Sequence, residues 1–294
     1  MHPDLAFEVW VEERQRRVED VLDRVLPPAD NGSSLVGAMR YAVLDGGKRV
    51  RPLLAYATAE AVNADPSVVD ACAAAVELIH AYSLVHDDLP CMDDDVLRRG
   101  KPTCHVAFGE AMALLAGDAL QAHAFSVLAT NLMRDVGHAC VLLADAAGDR
   151  GMAGGQAIDL AHVGRSMSLG QLESMHRKKT GALIRASVKL GAQCGRPSTA
   201  AEDSALEVYA HGVGLAFQIV DDILDVEGSA TTLGKTAGKD AVQNKPTYVT
   251  LLGLTEAKRR AVALRDEVQA CLQPFGRTAR RLHEMAGWIT QRSH

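Results

Sequence analysis

The apolar residues of this chain recur at the three- and four-residue spacing of amphipathic helices in about ten segments. Val and Ile never alternate regularly with polar residues, and aromatic residues make up only 4% of the 294 residues. Helix-forming residues therefore supply nearly all of the apolar bulk. This pattern predicts an all-α fold with helices at residues 5–26, 34–45, 50–63, 67–87, 108–130, 134–147, 168–192, 200–226, 248–271 and 276–290.

The segments between these helices are short, and none has the length of a linker between domains. The sequence contains no repeat of fixed period and no low-complexity tract. With 48% hydrophobic and 23% charged residues, the chain can bury a large core. We therefore predict one large helical domain that covers residues 1–294.

The formal net charge is -6, and the basic residues are clustered locally rather than over one broad face. A nucleic-acid-binding protein needs such a face for its phosphate contacts, so we expect no nucleic-acid partner. Six cysteines are scattered without a CxxC pair, which indicates reduced thiols in a cytoplasmic protein. We expect no membrane span and no secretion signal, because long apolar runs and a basic-then-apolar N-terminus are absent.

An acidic cluster lies in the sequence FQIVDDILD at residues 217–225. Asp221 and Asp225 are four residues apart, so on a helix they share one face, with Asp222 beside them and Gln218 one turn earlier. Like charges at this spacing destabilise a helix, and the apolar neighbours indicate that this one is buried. A Mg²⁺ ion suits such paired carboxylates. A solvated acidic face would explain this cluster alone equally well.

A second acidic cluster, HDDLPCMDDDVLRRGK at residues 86–101, holds five aspartates in nine positions. Asp87 and Asp93 are six residues apart and would lie on different faces of a straight helix. Pro90 disfavours helical geometry at the preceding residue, so we expect the helix to end and Asp93 to fold back towards Asp87. Five crowded carboxylates repel one another unless cations neutralise them. Two facing clusters predict several metal ions and phosphate chemistry.

Basic residues lie beside glycine-rich turns in four further segments: DGGKRVRP at 45–52, HRKKTGAL at 176–183, TLGKTAGKD at 232–240 and NKPTY at 244–248. Solvent exposure would explain any one of them. Together with the two acidic clusters they predict a site for two anionic groups, one bridged by metals and one held by lysine and arginine.

His80 lies two helical turns before Asp87 and is expected to point into the same cavity, roughly 10 Å away by helical rise. A core histidine bonded to a carbonyl is the alternative. Tyr82 and Ser83 lie one turn before Asp87 and would form the floor of an apolar pocket, unless they are ordinary packing residues.

These motifs resemble those of the trans-prenyl (polyprenyl) diphosphate synthases, and most closely those of the bacterial farnesyl diphosphate synthases. The resemblance rests on GGKRVRP, IHAYSLVHDDLPCMDDDVLRRGKPT, GGQAIDL, HRKKTGALI, FQIVDDILD, LGKTAGKD and KPTY, in this order. It implies a fold of about ten core helices around a central cavity, the isoprenoid synthase fold. It also implies a homodimeric transferase of isoprenoid biosynthesis that condenses isopentenyl diphosphate with dimethylallyl or geranyl diphosphate and uses three Mg²⁺ ions with substrate bound.

The resemblance assigns roles to individual residues. The metal ligands would be Asp87, Asp88, Asp93, Asp221, Asp222 and Asp225. The isopentenyl diphosphate site would comprise Lys48, Arg51, His80 and Arg99. The allylic diphosphate would be bound by Arg98, Lys179, Thr180, Gln218, Lys235 and Lys245. The catalytic groups among these would be Lys179, Thr180, Gln218 and Lys235. Residues 228–240 are our candidate for a lid over the cavity.

Product length and the class of protein leave alternatives open. In the family, a two-residue insertion in the first motif together with an aromatic residue five positions upstream goes with a fifteen-carbon product, and this chain has both, as the Leu89–Met92 spacer and Tyr82. LPCMDDD together with Ser83 also resembles geranylgeranyl diphosphate synthases, which make a twenty-carbon product. A class I terpene cyclase would share the first acidic motif. Two ExxH spacings, at 77–80 and 173–176, would suit a di-iron carboxylate protein instead.

Overall fold

The computed structural model describes residues 6–29, 34–44, 46–130, 135–227 and 246–291, and these residues form an all-α fold. The predicted fold class is confirmed. One antiparallel pair of two-residue strands, β1 at Leu97–Arg98 and β2 at Lys101–Pro102, is the exception that the sequence pattern did not predict. The helices are α1 Phe7–Val25, α2 Ser34–Val43, α3 Val50–Ala61, α4 Pro66–Asp87, α5 Cys104–Phe108, α6 Glu110–Ala129, α7 Val136–Ala147, α8 Met152–Ala161, α9 Leu169–His176, α10 Ala182–Gln193, α11 Ala200–Glu227, α12 Tyr248–Leu252, α13 Leu254–Ala270 and α14 Arg280–Thr290.

Some predicted helices are divided in the structure. A π-helical segment at Arg177–Gly181, called the π turn below, joins α9 to α10. Gly253 has φ +78° and separates α12 from α13. A 3-10 segment at Gln273–Ala279 precedes α14, so that helix begins later than expected. Glycine adopts a positive φ without steric cost, so Gly253 can interrupt the helix. Apolar periodicity does not register such a break, which is why one helix was predicted over residues 248–271.

Helix α4 lies at the centre of the molecule and is buried along most of its length. Asp65 caps its N-terminus by accepting a 2.8 Å hydrogen bond from the backbone N–H of Ser67, and Pro66 occupies the first helical position. Both residue types are favoured at these positions. Because α4 is apolar on nearly all sides, it packs against α3, α6 and α10 at once. Its C-terminal half contributes residues to the candidate site described below.

Helices α4 and α6 are both long and apolar enough to cross a membrane by length and composition. In α4, 67% of the most apolar stretch is buried inside the protein. Its role as a core helix accounts for its apolar composition. In α6 only 39% is buried, so its outer face is apolar and exposed, with Leu114 and Leu115 about half exposed.

Helix α4 ends at Asp87, as Pro90 predicts. The backbone N–H of Asp93 then donates a 2.8 Å hydrogen bond to the carbonyl of Asp87, and Asp94 takes a left-handed conformation with φ 52°. The chain therefore folds back on the helix end. This confirms the expectation that the later aspartates return to the start of the motif.

Candidate active site

A cavity of about 360 Å³ lies between α4, α8 and the π turn. Its lining includes many of the residues singled out from the sequence: Arg51, His80, Tyr82, Ser83, Asp87, Lys179 and Thr180. Side chains from three separate segments of the sequence therefore meet at one apolar cavity with a charged mouth.

A larger cleft of about 810 Å³ lies on the opposite side of the π turn, among α7, α10 and α11. Its basic side chains are paired within it: Arg185 and Lys189 contact the Glu207 carboxylate at 2.6 and 2.9 Å, and Arg150 pairs with Asp145. Neither acidic motif lines this cleft, so we place the candidate site in the smaller cavity.

The two aspartates at the end of α4 have different surroundings. Asp87 lines the cavity. Asp88 is buried, and both of its carboxylate oxygens accept hydrogen bonds from the Arg98 guanidinium, at 2.6 to 3.1 Å. Arg98 thus lies against Asp88. Both residues, together with Arg99, line a small separate cavity.

The π turn connects the cavity to α8 and α11 through a chain of polar contacts. Lys179 Nζ lies 2.6 Å from Oδ2 of Asp159 on α8. The Thr180 hydroxyl donates to Gln218 at 3.1 Å, and the Gln218 amide donates to Asp222 at 3.0 Å. Because each group fixes the next, the predicted allylic-site residues Lys179, Thr180 and Gln218 are held together.

Asp222 is buried, and both of its carboxylate oxygens are engaged. One accepts from Gln218, and the other accepts a 2.8 Å bond from the backbone N–H of Tyr248. Asp221 and Asp225 are less buried. The Asp221 charge acts on Arg51, which lines the cavity, whereas the cavity lining does not include Gln218, Asp221, Asp222 or Asp225.

The close approach of α8 to the π turn depends on a glycine. A methyl group on Gly155 would lie 2.2 Å from the backbone nitrogen of Lys179, a distance that real contacts do not reach. Gly155 and Asp159 both belong to the GGQAIDL motif, which was quoted from the sequence without a role for either residue. The structure shows that the motif forms α8 and positions Lys179.

The predicted isopentenyl diphosphate site lies at the turn before α3. Arg99 donates a hydrogen bond to the Gly46 carbonyl, and its guanidinium packs so closely on Gly47 that a methyl there would lie 2.8 Å away. The neighbouring Lys48 accepts a 3.0 Å bond at its carbonyl from Gln15. Lys48 belongs to this turn, and Arg99, which lies between β1 and β2, packs on its glycines, so two cationic residues meet there.

Arg49 belongs to the same turn but serves the fold, which the sequence did not show. It is left-handed with φ 50° and buried. Its guanidinium contacts Glu19 and Glu77, each at 2.7 Å, and donates to the Val43 carbonyl at 2.6 Å. An arginine paired on all sides is unavailable to a substrate, and it holds Lys48 and Arg51 in place on either side.

His80 lines the cavity with its pKa well below the usual value. Burial is the main cause, and the charges of Arg51, Arg99, Arg98 and Arg49 add to it. A histidine among four cations is neutral at pH 7, so it can both donate and accept a hydrogen bond.

The predicted floor residues lie below Asp87 on α4. Tyr82 is 8% exposed, and its ring packs edge-on against the His86 ring at 5.7 Å between centroids. Burial raises the pKa of the Tyr82 hydroxyl, whereas the side chain of Gln121 on α6 lowers it. The Ser83 hydroxyl is turned back to the His80 carbonyl at 2.8 Å. Both predicted floor residues therefore line the cavity.

Lys235, Lys245 and the candidate lid at residues 228–240 lie outside the described residues. Gln156, a residue that sequence reasoning did not select, lines the cavity, and both polar atoms of its amide are buried without a partner in the described part of the chain.

The structure does not support a di-iron centre. Glu77 is bound to Arg49, and Glu173 is paired with Arg177 and Arg260. His176 is buried in a different apolar cluster, stacked on Tyr248. The acids of both ExxH spacings are thus already paired with arginines, and neither spacing belongs to a metal-binding group of three among the described residues.

Within the ranges that the structure describes, no group of three His, Cys, Asp or Glu side chains is arranged to hold a metal alone. The acidic motifs fit Mg²⁺, which takes few protein ligands when water and phosphate oxygens complete its shell. Burial raises the pKa of Asp87 to about 6, Lys179 lowers it and Asp93 raises it. A cation beside the Asp87 carboxylate would offset both the loss of solvation on burial and the repulsion from Asp93.

The raised pKa of Asp87 predicts a pH-dependent stability in chelator. Because the folded pKa of about 6 exceeds the ordinary 3.8, this group stabilises the fold at low pH, and that stabilisation is lost as pH rises through 6. We expect Asp87→Asn to raise Tm by a few degrees at pH 7, with the gain shrinking towards pH 4. Thermal melts in EDTA would test this, and an equal gain at both pH values would contradict it.

The polyprenyl synthetase family model matches residues 33–273. Over 287 residues, the chain is 49% identical to the probable farnesyl diphosphate synthase of Bradyrhizobium diazoefficiens, covering 96% of this chain and 86% of that protein. It is 46% identical over 298 residues to the farnesyl diphosphate synthase of Escherichia coli, covering 98% and 100%. The Helicobacter pylori geranyltransferase, crystallised with magnesium and isoprenyl diphosphate, matches with a TM-score of 0.84 at 32% identity over 97% of each chain.

The chain belongs to the polyprenyl synthetase family, and its helices form the isoprenoid synthase fold of that family. The resemblance drawn from the acidic and basic motifs is therefore confirmed. The terpene cyclase alternative loses its support, because the family model spans both acidic motifs and the glycine-rich basic turn.

Proposed function

We propose that this protein is a farnesyl diphosphate synthase. It condenses isopentenyl diphosphate with dimethylallyl and then geranyl diphosphate, and it releases inorganic diphosphate at each step. The observation that carries the proposal is one cavity whose lining brings together Asp87 of the first acidic motif, the cations Arg51 and Lys179, and Tyr82. Relatives of that name at 46% and 49% identity over nearly the whole chain support it.

We further propose that Mg²⁺ binds between the two acidic motifs, as three ions when substrate is present. The site would be formed by the six aspartates of the two motifs: Asp87, Asp88, Asp93, Asp221, Asp222 and Asp225. Bound there, the metal would neutralise the allylic diphosphate and favour ionisation of its C–O bond. Since Asp88 and Asp222 are hydrogen-bonded by Arg98, Gln218 and the Tyr248 backbone, we assign them an orienting part and the direct contacts to the others.

The π turn would bind the allylic diphosphate. Lys179 lies at the cavity, and Asp159 holds its ammonium in position. A fixed positive charge at the leaving group stabilises the negative charge that develops as the C–O bond breaks. Thr180 and Gln218 would add hydrogen bonds. We propose that Arg98, Lys235 and Lys245 complete this subsite.

Lys48, Arg51 and Arg99 would bind the diphosphate of isopentenyl diphosphate, with neutral His80 as a hydrogen-bonding partner. Lys48 on the turn before α3, Arg51 on α3 and Arg99 between β1 and β2 would aim the double bond at the allylic carbon. After that bond forms, a proton must leave the condensed product, and the departing diphosphate is the base that we propose. His80, neutral among cations, is a poor site for that proton.

Water must be kept from the allylic cation, because water would quench it. Apolar side chains of α4 and α8 surround the tail, and we propose that residues 228–240 close over the mouth. The match to a single family model over residues 33–273 supports one catalytic domain.

A homodimer is also part of the proposal. Helix α6 is only 39% buried although it is apolar enough for a membrane span. Leu114, Leu115 and Val141 of α6 and α7 are 47 to 56% exposed. A second copy of the chain packed on this face would bury them. The six described cysteines are free thiols, which supports a cytoplasmic location.

The proposed function is tested by incubating the purified protein with Mg²⁺, isopentenyl diphosphate and geranyl diphosphate and sizing the products by chromatography. A fifteen-carbon diphosphate is the expected result. A cyclised hydrocarbon without consumption of isopentenyl diphosphate would contradict it, and a predominantly twenty-carbon product would favour the geranylgeranyl alternative.

Tyr82→Ala should lengthen the product. The ring closes the apolar end of the cavity, so its removal leaves room for about one more isoprene unit, and we expect twenty-carbon diphosphate to become a major product. Ser83→Ala is the matched control, because its hydroxyl is bonded to the His80 carbonyl and its removal opens little space. A Tyr82→Ala enzyme that still stops at fifteen carbons would show that the floor lies elsewhere.

A further inference from the structure

His86 fills the space between α4 and α6 beside the proposed floor. It lines the cavity, follows Tyr82 by one helical turn and packs edge-on against the Tyr82 ring at 5.7 Å. Its Nε2 lies 3.0 Å from the carbonyl oxygen of Leu114 on α6. A carbonyl only accepts, so Nε2 carries the proton and donates it. The imidazole is therefore fixed to α6 on one side and supports Tyr82 on the other.

Gly117 makes this position possible. A methyl group there would lie 2.1 Å from Nε2, 2.4 Å from Cδ2 and 2.8 Å from Cε1 of His86. All of these distances are far inside van der Waals contact. The His86 ring thus occupies the volume that any side chain at position 117 would need, and the glycine allows α4 and α6 to close around it.

We propose that His86 and Gly117 act as a pair of positioning residues that sets the length of the product by supporting Tyr82 from α6. This rests on the proposed function, since it concerns the length of the prenyl chain made at the same cavity. An imidazole ring has five non-hydrogen atoms, as many as the carbons of one isoprene unit. Movement of the ring into or out of the cavity therefore changes the available space by about one elongation step.

The two residues predict opposite effects. Gly117→Ala forces the imidazole away from α6, and the open side is the cavity that it already lines. The cavity is shortened, so kcat/KM for geranyl diphosphate should fall at least tenfold, while that for dimethylallyl diphosphate changes less than threefold. Ten-carbon product should accumulate. His86→Ala empties the same space and removes the support of Tyr82, so twenty-carbon product should appear.

The double variant Gly117→Ala/His86→Ala separates this mechanism from simple damage to helix packing. Without the imidazole, the new methyl has no ring to displace, so the double variant should regain at least tenfold in kcat/KM for geranyl diphosphate over Gly117→Ala. The same comparison holds if Gly117→Ala alone fails to fold, because the double variant should then fold and elongate. Gly170→Ala on α9 is the control, since a methyl there meets nothing within 4 Å.

Product distributions from dimethylallyl and geranyl diphosphate, measured for all four variants and the unmodified protein, decide the matter. A Gly117→Ala enzyme with normal fifteen-carbon output, a double variant no better than Gly117→Ala, or a His86→Ala enzyme that stops at fifteen carbons would each overturn the proposal. If the unmodified protein elongates neither allylic diphosphate, the proposed function fails first. If it makes fifteen carbons and the variants do not differ from it, only the role of His86 and Gly117 fails.

Discussion

Replacing Asp87 by asparagine should lower kcat by about 10³-fold, equivalent to about 4 kcal/mol of transition-state stabilisation. Asp87 is the first aspartate of its motif and faces the cavity, where burial already raises its pKa to about 6. Its charge would be needed to hold the metal that neutralises the leaving diphosphate. The measurement is the rate of diphosphate release at saturating substrate over a range of Mg²⁺ concentrations.

Asp88→Asn provides the matched control, because the residue is adjacent and the change in charge is the same. Both oxygens of Asp88 accept from Arg98, so the substitution should loosen Arg98 and raise KM for the allylic substrate about tenfold, with a smaller loss of kcat. Asp87→Asn is also expected to be the more stable protein in chelator at pH 7, so unfolding would not explain its inactivity. Equal losses of kcat in the two variants would show that the orientations of these side chains do not decide their roles.

Lys179→Ala should lower kcat by about 10² to 10³-fold, the usual loss when a fixed donor at a developing negative charge is removed. The ammonium lies at the cavity and is held 2.6 Å from Asp159. In Asp159→Asn the charge on Lys179 remains and only its anchor is weakened, so we expect about a tenfold loss. Single-turnover rates of diphosphate release from geranyl diphosphate would compare them. A larger loss in Asp159→Asn than in Lys179→Ala would contradict the assignment.

The local features of the fold could be predicted where one residue decides the backbone. Pro90 ends α4, and the returning Asp93 follows directly from that break. Most helices also follow from their periodicity. Helix α8 could not be found in this way, because its GGQAIDL sequence is short and rich in glycine. It is stabilised by tertiary packing, with Gly155 against the π turn and Asp159 on Lys179.

The types of residue in the candidate site could be predicted, but their pairings could not. Asp87, Lys179 and Arg51 line one cavity, as the motifs predicted. The sequence could not show that Arg49, two residues before Arg51, is paired with Glu19 and Glu77, since these two acids lie on α1 and α4, far from it along the chain. Spacing along one helix says which face a side chain occupies, whereas an ion pair depends on the partner that tertiary packing supplies.

In the proposed mechanism, the two acidic motifs, at the end of α4 and on α11, act together on one metal-bound diphosphate. This requires that diphosphate release from geranyl diphosphate and isopentenyl diphosphate depend on the metal, which is tested by measuring its rate in Mg²⁺ and again in excess EDTA. We expect release to fall to the background rate in EDTA and to return when Mg²⁺ is restored. Release that continues unchanged in excess EDTA would contradict this account of the site.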